Sequence, residues 1–398
     1  MIKEPQNLRE LIEEGFVFPA FLPEKNDFLF NETGINYRNK LLRKEANNGG
    51  NLSLLNLNRL EELIGYTVPV IAHDYGAKTP VMWNRLYEKL GLNIRNIMIV
   101  ADPSNIEVIT KAFRSDPKYL GGGFGVGFKE KLKYLDEIKP DSLSAINIVV
   151  KENGRLIGYN TDSNGFVKSL EEKLVVLGKR IEDGNFVVVG AGGVAKEVVD
   201  LFAQRGAKYI AIVNRTFGKA VDLAQFINNK YGRDLAIGVG ENMTRGVALN
   251  SERKPCAIIN LSSKGDDSLP DSTFFYGSTN MDGKPLEQET IECISRNTIR
   301  MSVANNPKIV YADIVLPKSG MSLSLRWIRA ELAEYFEKCG LSSNLVENHI
   351  LDGKPMVIYQ AAPAYLKVQQ AHPEAHHKSV TEDEALKVFK EAANSKRV

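Results

Sequence analysis

The chain has 398 residues, of which 43% are hydrophobic and 25% are charged, and its formal net charge is +2. This length accommodates two domains with substantial cores and one or two accessory segments. The near-neutral charge gives no indication of nucleic-acid or membrane binding, and no apolar run reaches the length of a membrane-spanning helix. Composition therefore favours a soluble globular protein whose partner is a small molecule.

Cysteine usage and the first residues indicate the compartment. Cys256, Cys293 and Cys339 are odd in number and widely spaced, so they predict neither a disulfide framework nor a metal site. The N-terminus is polar and charged, which predicts that no signal peptide is present. We therefore expect a cytoplasmic protein.

The first 65 residues show no clear alternation of strand and helix patterns. We predict an N-terminal extension there, with a polar loop at 43–50. From 66 to about 160, strands are predicted at 68–72, 97–100, 124–126 and 145–150, and helices at 79–90, 104–114 and 128–138. This alternation predicts an α/β layer with a largely parallel sheet.

A hydrophobic run that ends just before Gly190 predicts a strand that leads directly into a glycine-rich turn. In this G-x-G-x-x-G/A pattern, Gly190 allows the tight turn, Gly192 lets a pyrophosphate approach the backbone, and Ala195 lets helix and strand pack closely. The N-terminus of the following helix favours the anion. The alternative is a glycine-rich turn that binds nothing. The predicted cofactor-binding residues of the turn are Gly190, Ala191, Gly192, Gly193, Val194 and Ala195.

The end of the next predicted strand indicates which dinucleotide would bind. An NAD site usually has Asp or Glu here to hold the ribose hydroxyls, whereas this chain has Asn214, Arg215 and Thr216, with Lys219 one turn further on. A guanidinium can hold a 2′-phosphate that a carboxylate would repel. We predict NADP as the cofactor, held in part by these four residues. The alternative is that Arg215 is an ordinary surface arginine.

Further strands are predicted at 257–261 and 309–314, and we assign 161–353 to a Rossmann NADP-binding domain. In the tail at 371–398, Thr381 and Glu384 form a capping-box pattern that predicts a short amphipathic surface helix. His372, His376 and His377 lack carboxylate or cysteine partners at fixed spacing, so we predict no metal site.

Four segments together resemble the shikimate/quinate dehydrogenase family. They are Phe128 to Glu130, Ser144 to Asp162, the glycine turn with Asn214 to Thr216, and Met356 to Ala362. The resemblance covers roughly 66–370, and its most specific part is 145–162. The span 266–305 is longer than the family pattern needs.

This resemblance implies a two-domain α/β protein. An N-terminal α/β substrate domain at 66–160 would precede the Rossmann domain, a helix at 354–370 would return to the substrate domain, and the active site would lie between the domains. The implied reaction is the NADP-dependent interconversion of a secondary alcohol and a ketone on a shikimate- or quinate-like cyclic hydroxy acid, within aromatic amino acid biosynthesis. A homodimer is a possible assembly of this chain.

The resemblance also assigns roles to single residues. Lys129 would be the general acid/base that exchanges the hydroxyl proton, and Asp162 would pair with it. Asn147, Gln360 and Thr79 would bind the substrate. From spacing alone, Lys129 is an ordinary solvated lysine and Asp162 a plain helix cap. A lysine can serve as acid and base where burial and neighbouring groups bring its pKa towards the working pH.

Departures from the family pattern are concentrated where the family holds the substrate carboxylate. A Ser-x-Ser-Pro turn becomes Ala77-Lys78-Thr79-Pro80, an Asn-Val-Thr segment aligns with Gly123 to Gly125, and a tyrosine aligns with Leu316. The carboxylate clamp is therefore rebuilt or lost. This favours a different or larger substrate, or a carboxylate held by other residues, for which Lys78 and His73 are candidates.

Two other functions stay open at this point. One is a related enzyme that acts on a different compound in specialised metabolism. The other is a non-catalytic NADP-binding regulator, against which the intact Lys129 and Asp162 argue. Glutamyl-tRNA reductase has a similar nucleotide unit but needs a nucleophilic cysteine early in the chain, and the first cysteine here is Cys256.

Overall fold

The computed structural model describes residues 4–19, 65–73, 79–141, 143, 145–182, 184–277, 284–315, 317 and 319–394. The chain divides into two compact units: Met1–Thr161 with Gln360–Val398 form the first, and Asp162–Tyr359 form the second. Within the described ranges, no helix is both long and apolar enough to cross a lipid bilayer.

The first unit is built on a mixed sheet. Its elements before residue 162 are α1 (Leu8–Glu13), β1 (Val17–Pro19), β2 (Tyr66–Thr67), β3 (Val70–Ala72), α2 (Thr79–Leu90), β4 (Ile94–Arg95), β5 (Met98–Ala101), α3 (Ile106–Ser115), β6 (Gly121–Phe124), β7 (Glu137–Ile138), β8 (Ile148–Glu152) and β9 (Arg155–Tyr159). The strand order is β1-β5-β3-β6-β8-β9-β7, and β2 pairs with β4 separately. Strand β3 runs parallel to β5 and β6, and β7 runs parallel to β9, whereas β1–β5, β6–β8 and β8–β9 are antiparallel. The sheet is therefore mixed, with half of its pairings parallel, rather than largely parallel as predicted.

Part of the predicted N-terminal extension belongs to this unit. Helix α1 buries Leu8 and Leu11, and the backbone N–H of Leu8 donates to the Asp116 carboxylate at 3.0 Å. Strand β1 then pairs with β5 along the sheet edge. Residues 8–19 are therefore core structure of the first unit. The predicted polar loop at 43–50 lies outside the described residues.

The helix predicted at 128–138 is wrong. A turn at 126–130 leads into a short 3₁₀ helix, Leu132–Tyr134, and then into β7. Backbone and side chain of Asp136 both bond to Leu156 of β9, at 3.0 and 2.8 Å. This pairing adds the segment to the sheet, which outweighs its helical apolar spacing because tertiary contacts override local propensity.

The glycine run at 121–123 forms strand β6, which begins earlier than the strand predicted at 124–126. Neighbouring backbone requires glycine at two of these positions, since a Cβ at Gly121 would lie 2.6 Å from the Val149 carbonyl oxygen and a Cβ at Gly122 would overlap the Pro69 carbonyl oxygen. The close approach that this run permits is therefore between strands of the sheet, rather than the approach of a ligand.

The second unit is a parallel α/β sheet covered on both faces. Its elements are α4 (Asp162–Val176), β10 (Asn185–Val189), α5 (Gly193–Gln204), β11 (Tyr209–Asn214), α6 (Phe217–Tyr231), β12 (Ala236–Gly240), α7 (Thr244–Ala248), β13 (Ala257–Asn260), α8 (Gln288–Asn305), β14 (Val310–Asp313), α9 (Leu323–Lys338) and β15 (Ile350–Leu351). The order β12-β11-β10-β13-β14-β15 is that of a dinucleotide-binding fold, which confirms the predicted Rossmann domain.

The central strand β10 shows why both faces are covered. Phe186 and Val188 pack into one core with α4, α5 and α6, whereas Val187 and Val189 pack into a second core with α8 and α9. Alternate side chains of a strand point to opposite faces, so a continuous apolar run needs two covered faces. The apolar run at 185–189 therefore specifies a central strand.

The segment between β13 and β14 is long and contains helix α8. Arg296 and Arg300 of α8 form ion pairs with the Glu331 carboxylate of α9, whose side chain is fully buried. The two arginines satisfy a charge that would otherwise be costly to bury. These contacts fasten α8 to α9 within the second unit.

Two helices complete the chain, α10 (Lys354–Ala371) and α11 (Glu382–Asn394). The predicted capping box is confirmed: Thr381 N–H donates to the Glu384 carboxylate at 2.8 Å, and Glu384 N–H donates to the Thr381 hydroxyl at 3.3 Å. Helix α11 buries Leu386 and Phe389 and packs on α2. The tail is thus part of the first unit rather than a separate surface segment. No cluster of three or more metal-binding side chains occurs in the described part of the chain.

We expect Gly238→Ala to destabilise the protein, because a Cβ there would overlap the backbone of Ala220 and Val221 in α6. Overpacking of this kind typically costs about 1–3 kcal/mol. Gly240→Ala, at the end of the same strand, is the matched control, since a Cβ there meets nothing within 4 Å. Urea denaturation of both variants measures the difference, and equal midpoints would contradict the packing argument.

Candidate functional site

The turn after β10 has the geometry that an anion-binding turn needs. Gly190 has φ +118°, and a Cβ there would lie 2.8 Å from the Leu261 carbonyl oxygen, so this position requires glycine. Gly192 caps α5, is exposed, and has nothing within 4 Å of an added Cβ. Ala195 is fully buried against the sheet. Glycine at 192 therefore leaves open space beside the unpaired N–H groups of a helix start, where an anion is favoured.

Two cations lie beside this turn. The turn and the end of β11 line one cavity of about 620 Å³, to which they contribute Gly190, Ala191, Gly192, Asn214, Arg215, Thr216 and Lys219. Arg215 and Lys219 are exposed, and Asn214 donates to the Thr216 carbonyl at 3.0 Å. Gly193, Val194 and Ala195 do not line this cavity, although they form the first turn of α5.

The other walls of the cavity come from segments that the sequence analysis did not assign to a site. Glu241 follows β12, and Ser262 to Lys264 follow β13. The segment between β13 and β14 supplies further lining residues between Leu269 and Ile291. The one signal in the sequence was the unusual length of 266–305.

A buried polar network fixes the loop after β13. Asn260 donates to the Asp313 carboxylate at 2.9 Å and accepts from the Ser262 hydroxyl at 2.6 Å, and Ser322 donates to the other Asp313 oxygen at 2.6 Å. Burial raises the pKa of Asp313 to about 6, while hydrogen bonds from Ser322, Val315 and Asn260 oppose the rise. Polar residues at the carboxyl ends of two parallel strands were the signal that could have identified this network.

In the first unit, the structure brings together two of the predicted substrate-binding residues. The Asn147 amide donates to Gln360 Oε1 at 2.9 Å and to the Thr161 hydroxyl at 2.9 Å. Thr161 N–H donates to Asn147 Oδ1 at 2.9 Å, and its hydroxyl donates to the Gln360 carbonyl at 3.0 Å. Thr161 is buried and was not singled out in the sequence analysis. The result is a hydrogen-bonded cluster of Asn147, which precedes β8, Thr161, which follows β9, and Gln360 of α10.

Lys129 is anchored close to this cluster through its backbone. Its N–H donates to the Gly125 carbonyl at 3.2 Å, and its carbonyl accepts from Ile146, the neighbour of Asn147, at 2.9 Å. The Lys129 side chain is half-buried. Asp162 follows Thr161 directly and is the first residue of α4, which belongs to the second unit.

The positions that align with the family's carboxylate clamp lie only partly within the described residues. Thr79 is the half-buried first residue of α2, whereas Ala77, Lys78 and Leu316 lie outside the described residues. His73 is half-buried, and its Nδ1 lies 3.4 Å from the Ala101 carbonyl oxygen. Gly123 and Gly125 carry no side chain in the region where the family pattern has polar ones.

The second unit is thus a dinucleotide-binding α/β domain with a turn that suits a phosphate. Comparison with known proteins shows which dinucleotide-binding proteins the chain resembles. The family model described as Shikimate / quinate 5-dehydrogenase matches residues 173–236. Shikimate dehydrogenase (NADP(+)) of Halothermothrix orenii is 28% identical over 309 residues, covering 76% of this chain and 90% of that protein. The chain is therefore similar to the shikimate/quinate dehydrogenase family.

A second relative and a solved structure show the extent of the similarity. Shikimate dehydrogenase (NADP(+)) of Alkaliphilus oremlandii is 36% identical over 152 residues, which cover 37% of this chain and 51% of that protein, about half its length. Shikimate 5-dehydrogenase of Listeria monocytogenes, solved in complex with shikimate and NAD, is 21% identical with a TM-score of 0.55. The structural match covers 82% of this chain and 96% of that chain, and it shows a shared fold.

The two glycines of the turn should respond differently to alanine. Gly190→Ala places a side chain at positive φ against the Leu261 carbonyl, and we expect it to lower the free energy of unfolding by about 1–3 kcal/mol. Gly192→Ala meets no protein atom and should change stability by less than about 0.5 kcal/mol. Thermal unfolding of both variants checks this, and a similar loss in both would show that the turn is not constrained as described.

Proposed function

We propose that this chain is an NADP(H)-dependent oxidoreductase that interconverts a secondary alcohol and a ketone on a shikimate- or quinate-like cyclic hydroxy acid. The observation that carries the proposal is the cavity that joins a glycine turn to two exposed cations, Arg215 and Lys219. The two relatives named above are NADP(+) enzymes by name, which supports the same cofactor here.

The residues of the cavity fit the phosphate groups of NADP. The open space at Gly192 leaves the helix start accessible to a pyrophosphate. Arg215 and Lys219 replace the acidic residue that usually holds the ribose of NAD, and a guanidinium pairs with a 2′-phosphate by charge-assisted hydrogen bonds. Bound NADP would supply the hydride acceptor, or as NADPH the hydride donor.

Side chains of the protein would transfer the proton and bind the substrate. In the oxidation direction, Lys129 takes the proton of the substrate hydroxyl while the hydrogen on the hydroxyl-bearing carbon leaves as hydride. In the reduction direction, Lys129 returns a proton to the same oxygen. By the family resemblance, Asp162 would pair with the lysine in this exchange. Asn147 and Gln360, already fixed to each other and to Thr161, would hydrogen-bond substrate hydroxyls, and Thr79 is the remaining substrate-binding candidate.

A related enzyme acting on a different substrate is the second candidate. Gly123 and Gly125 offer no side chains where the family pattern has polar ones, and Ala77 and Leu316 likewise replace a serine and a tyrosine. A site built to pair a polar group discriminates strongly against ligands that leave it unpaired, so losing the clamp changes which acids are accepted. The proton-transferring residues are those of the family pattern in both candidates.

Arg215→Asp should weaken NADPH binding far more than NADH binding. A charge-assisted pair contributes about 1.5–3 kcal/mol, so the ratio of NADPH to NADH affinity should fall by roughly tenfold or more. Arg180→Asp, which makes the same charge change at an exposed residue that does not line the cavity, is the control. Fluorescence titration with both dinucleotides measures the ratio. Equal affinities in the unmutated protein would refute the assignment of Arg215.

Lys129→Ala and Asp162→Asn should each remove most turnover while leaving NADPH affinity nearly unchanged. Loss of a general acid/base typically costs roughly 10²–10⁴-fold in rate. Lys133→Ala, on an exposed lysine of the following 3₁₀ helix, is the control and should keep its activity. Steady-state rates combined with cofactor titration separate the two effects. Near-full activity of Lys129→Ala would show that another group transfers the proton.

Shikimate should be a poor substrate because of its KM rather than its kcat. Two lost hydrogen bonds to a carboxylate, at about 1.5–3 kcal/mol each, would weaken binding by roughly two to four orders of magnitude. Ala77→Ser with Leu316→Tyr should lower the KM. Steady-state kinetics with shikimate tests this, and a KM in the ordinary micromolar range would favour a plain shikimate dehydrogenase.

A further inference from the structure

Thr161 lies at the centre of the hydrogen bonds that connect the two candidate substrate-binding amides of the first unit. It is buried, with only 1% of its surface exposed. Its backbone N–H donates to Asn147 Oδ1 at 2.9 Å, and its hydroxyl accepts from Asn147 Nδ2 at 2.9 Å. Both ends of the Asn147 amide are therefore bonded to the same residue.

The backbone N–H of Thr161 determines the direction of these bonds. A backbone N–H can only donate, so the Asn147 atom that it meets must be the amide oxygen. The Asn147 nitrogen then faces Gln360, which must present its own oxygen, and Oε1 lies there at 2.9 Å. This order places the N–H groups of Gln360 at the other end of its amide. There they suit a substrate oxygen that accepts a hydrogen bond.

Thr161 also holds the point at which the chain returns to the first unit. The first segment of this unit ends at Thr161, and its second segment begins at Gln360. The Thr161 hydroxyl donates to the Gln360 backbone carbonyl at 3.0 Å and lies 3.2 Å from Gln360 Oε1. One residue thus contacts both the backbone and the side chain of Gln360 and both ends of the Asn147 amide.

Resting on the function proposed above, we propose that Thr161 is a positioning residue that holds Asn147 and Gln360 in the orientation that binds the substrate. Because Thr161 is buried, it acts through the two amides rather than by touching the substrate. Amides that are held in place before binding lose less freedom when the substrate arrives, so the effect of Thr161 falls mainly on substrate affinity. Misplacement of such groups by even a fraction of their length is costly in a site of this kind.

Thr161→Val tests this role, since it keeps the branched shape of the side chain and removes the hydroxyl. In steady-state assays with NADP⁺ and either shikimate or quinate, the KM of the cyclic acid should rise about tenfold. The kcat should fall by less, and NADPH affinity should stay unchanged. Thr161→Ser retains the hydroxyl and should restore the KM.

Thr110→Val is the matched control for this substitution. Thr110 is equally buried and belongs to α3 of the same unit, where its hydroxyl bonds to backbone carbonyls of its own helix. It therefore loses a buried hydroxyl without a change at the amides, and its KM should equal that of the unmutated protein. An unchanged KM in Thr161→Val, or an equal rise in Thr110→Val, would overturn the role of Thr161.

A second readout does not need turnover. The side-chain amide hydrogens of Asn147, followed by NMR, should exchange with solvent faster in Thr161→Val than in the unmutated protein, because one of their two acceptors is removed. Unchanged exchange would show that Thr161 does not orient this amide. If exchange responded as expected but the unmutated protein reduced NADP⁺ with neither acid, the proposed function would fail for these substrates while the orienting role of Thr161 stood.

Discussion

The backbone turn at Gly190 is the constraint on which the second unit depends. Six parallel strands place their carboxyl ends at one edge of the sheet, and the chain must turn there into α5 beneath the Leu261 carbonyl. Only a glycine at φ +118° fits that turn. The turn sets the position of the helix start, which in turn sets where an anion can lie relative to Arg215 and Lys219. The wall built after β13 closes the same cavity from the other side.

Local patterns in the sequence predicted most of the second unit. The apolar run at 185–189, the glycine turn and the run ending at Asn214 specify their elements within a few residues, because strands buried on both faces leave a continuous apolar signal. The same approach gave a wrong helix at 128–138. There, long-range pairing between Asp136 and Leu156 decides the conformation, and the spacing of apolar residues within 128–138 gives no indication of that pairing.

The candidate site was predictable to a similar degree and for similar reasons. Asn147 and Gln360 are 213 positions apart, and only the family resemblance suggested that they lie together, which their hydrogen bond confirms. Thr161, which bonds to both, carries no motif of its own and directly precedes Asp162, the residue that the resemblance singled out. Glu241 and the segment between β13 and β14 carry no motif, so their place in the cavity wall is visible only in the folded chain.

Hydride transfer itself is the property to measure. The direct experiment follows NADP⁺ reduction by the purified full-length chain with shikimate, quinate, amino-substituted shikimates and other cyclic polyols, with Lys129→Ala assayed in parallel. The proposed chemistry predicts reduction of NADP⁺ with at least one cyclic hydroxy acid and its loss in the variant. If the protein bound NADPH but reduced NADP⁺ with none of these compounds, it would be a nucleotide-binding protein without this activity, and the oxidoreductase assignment would be wrong.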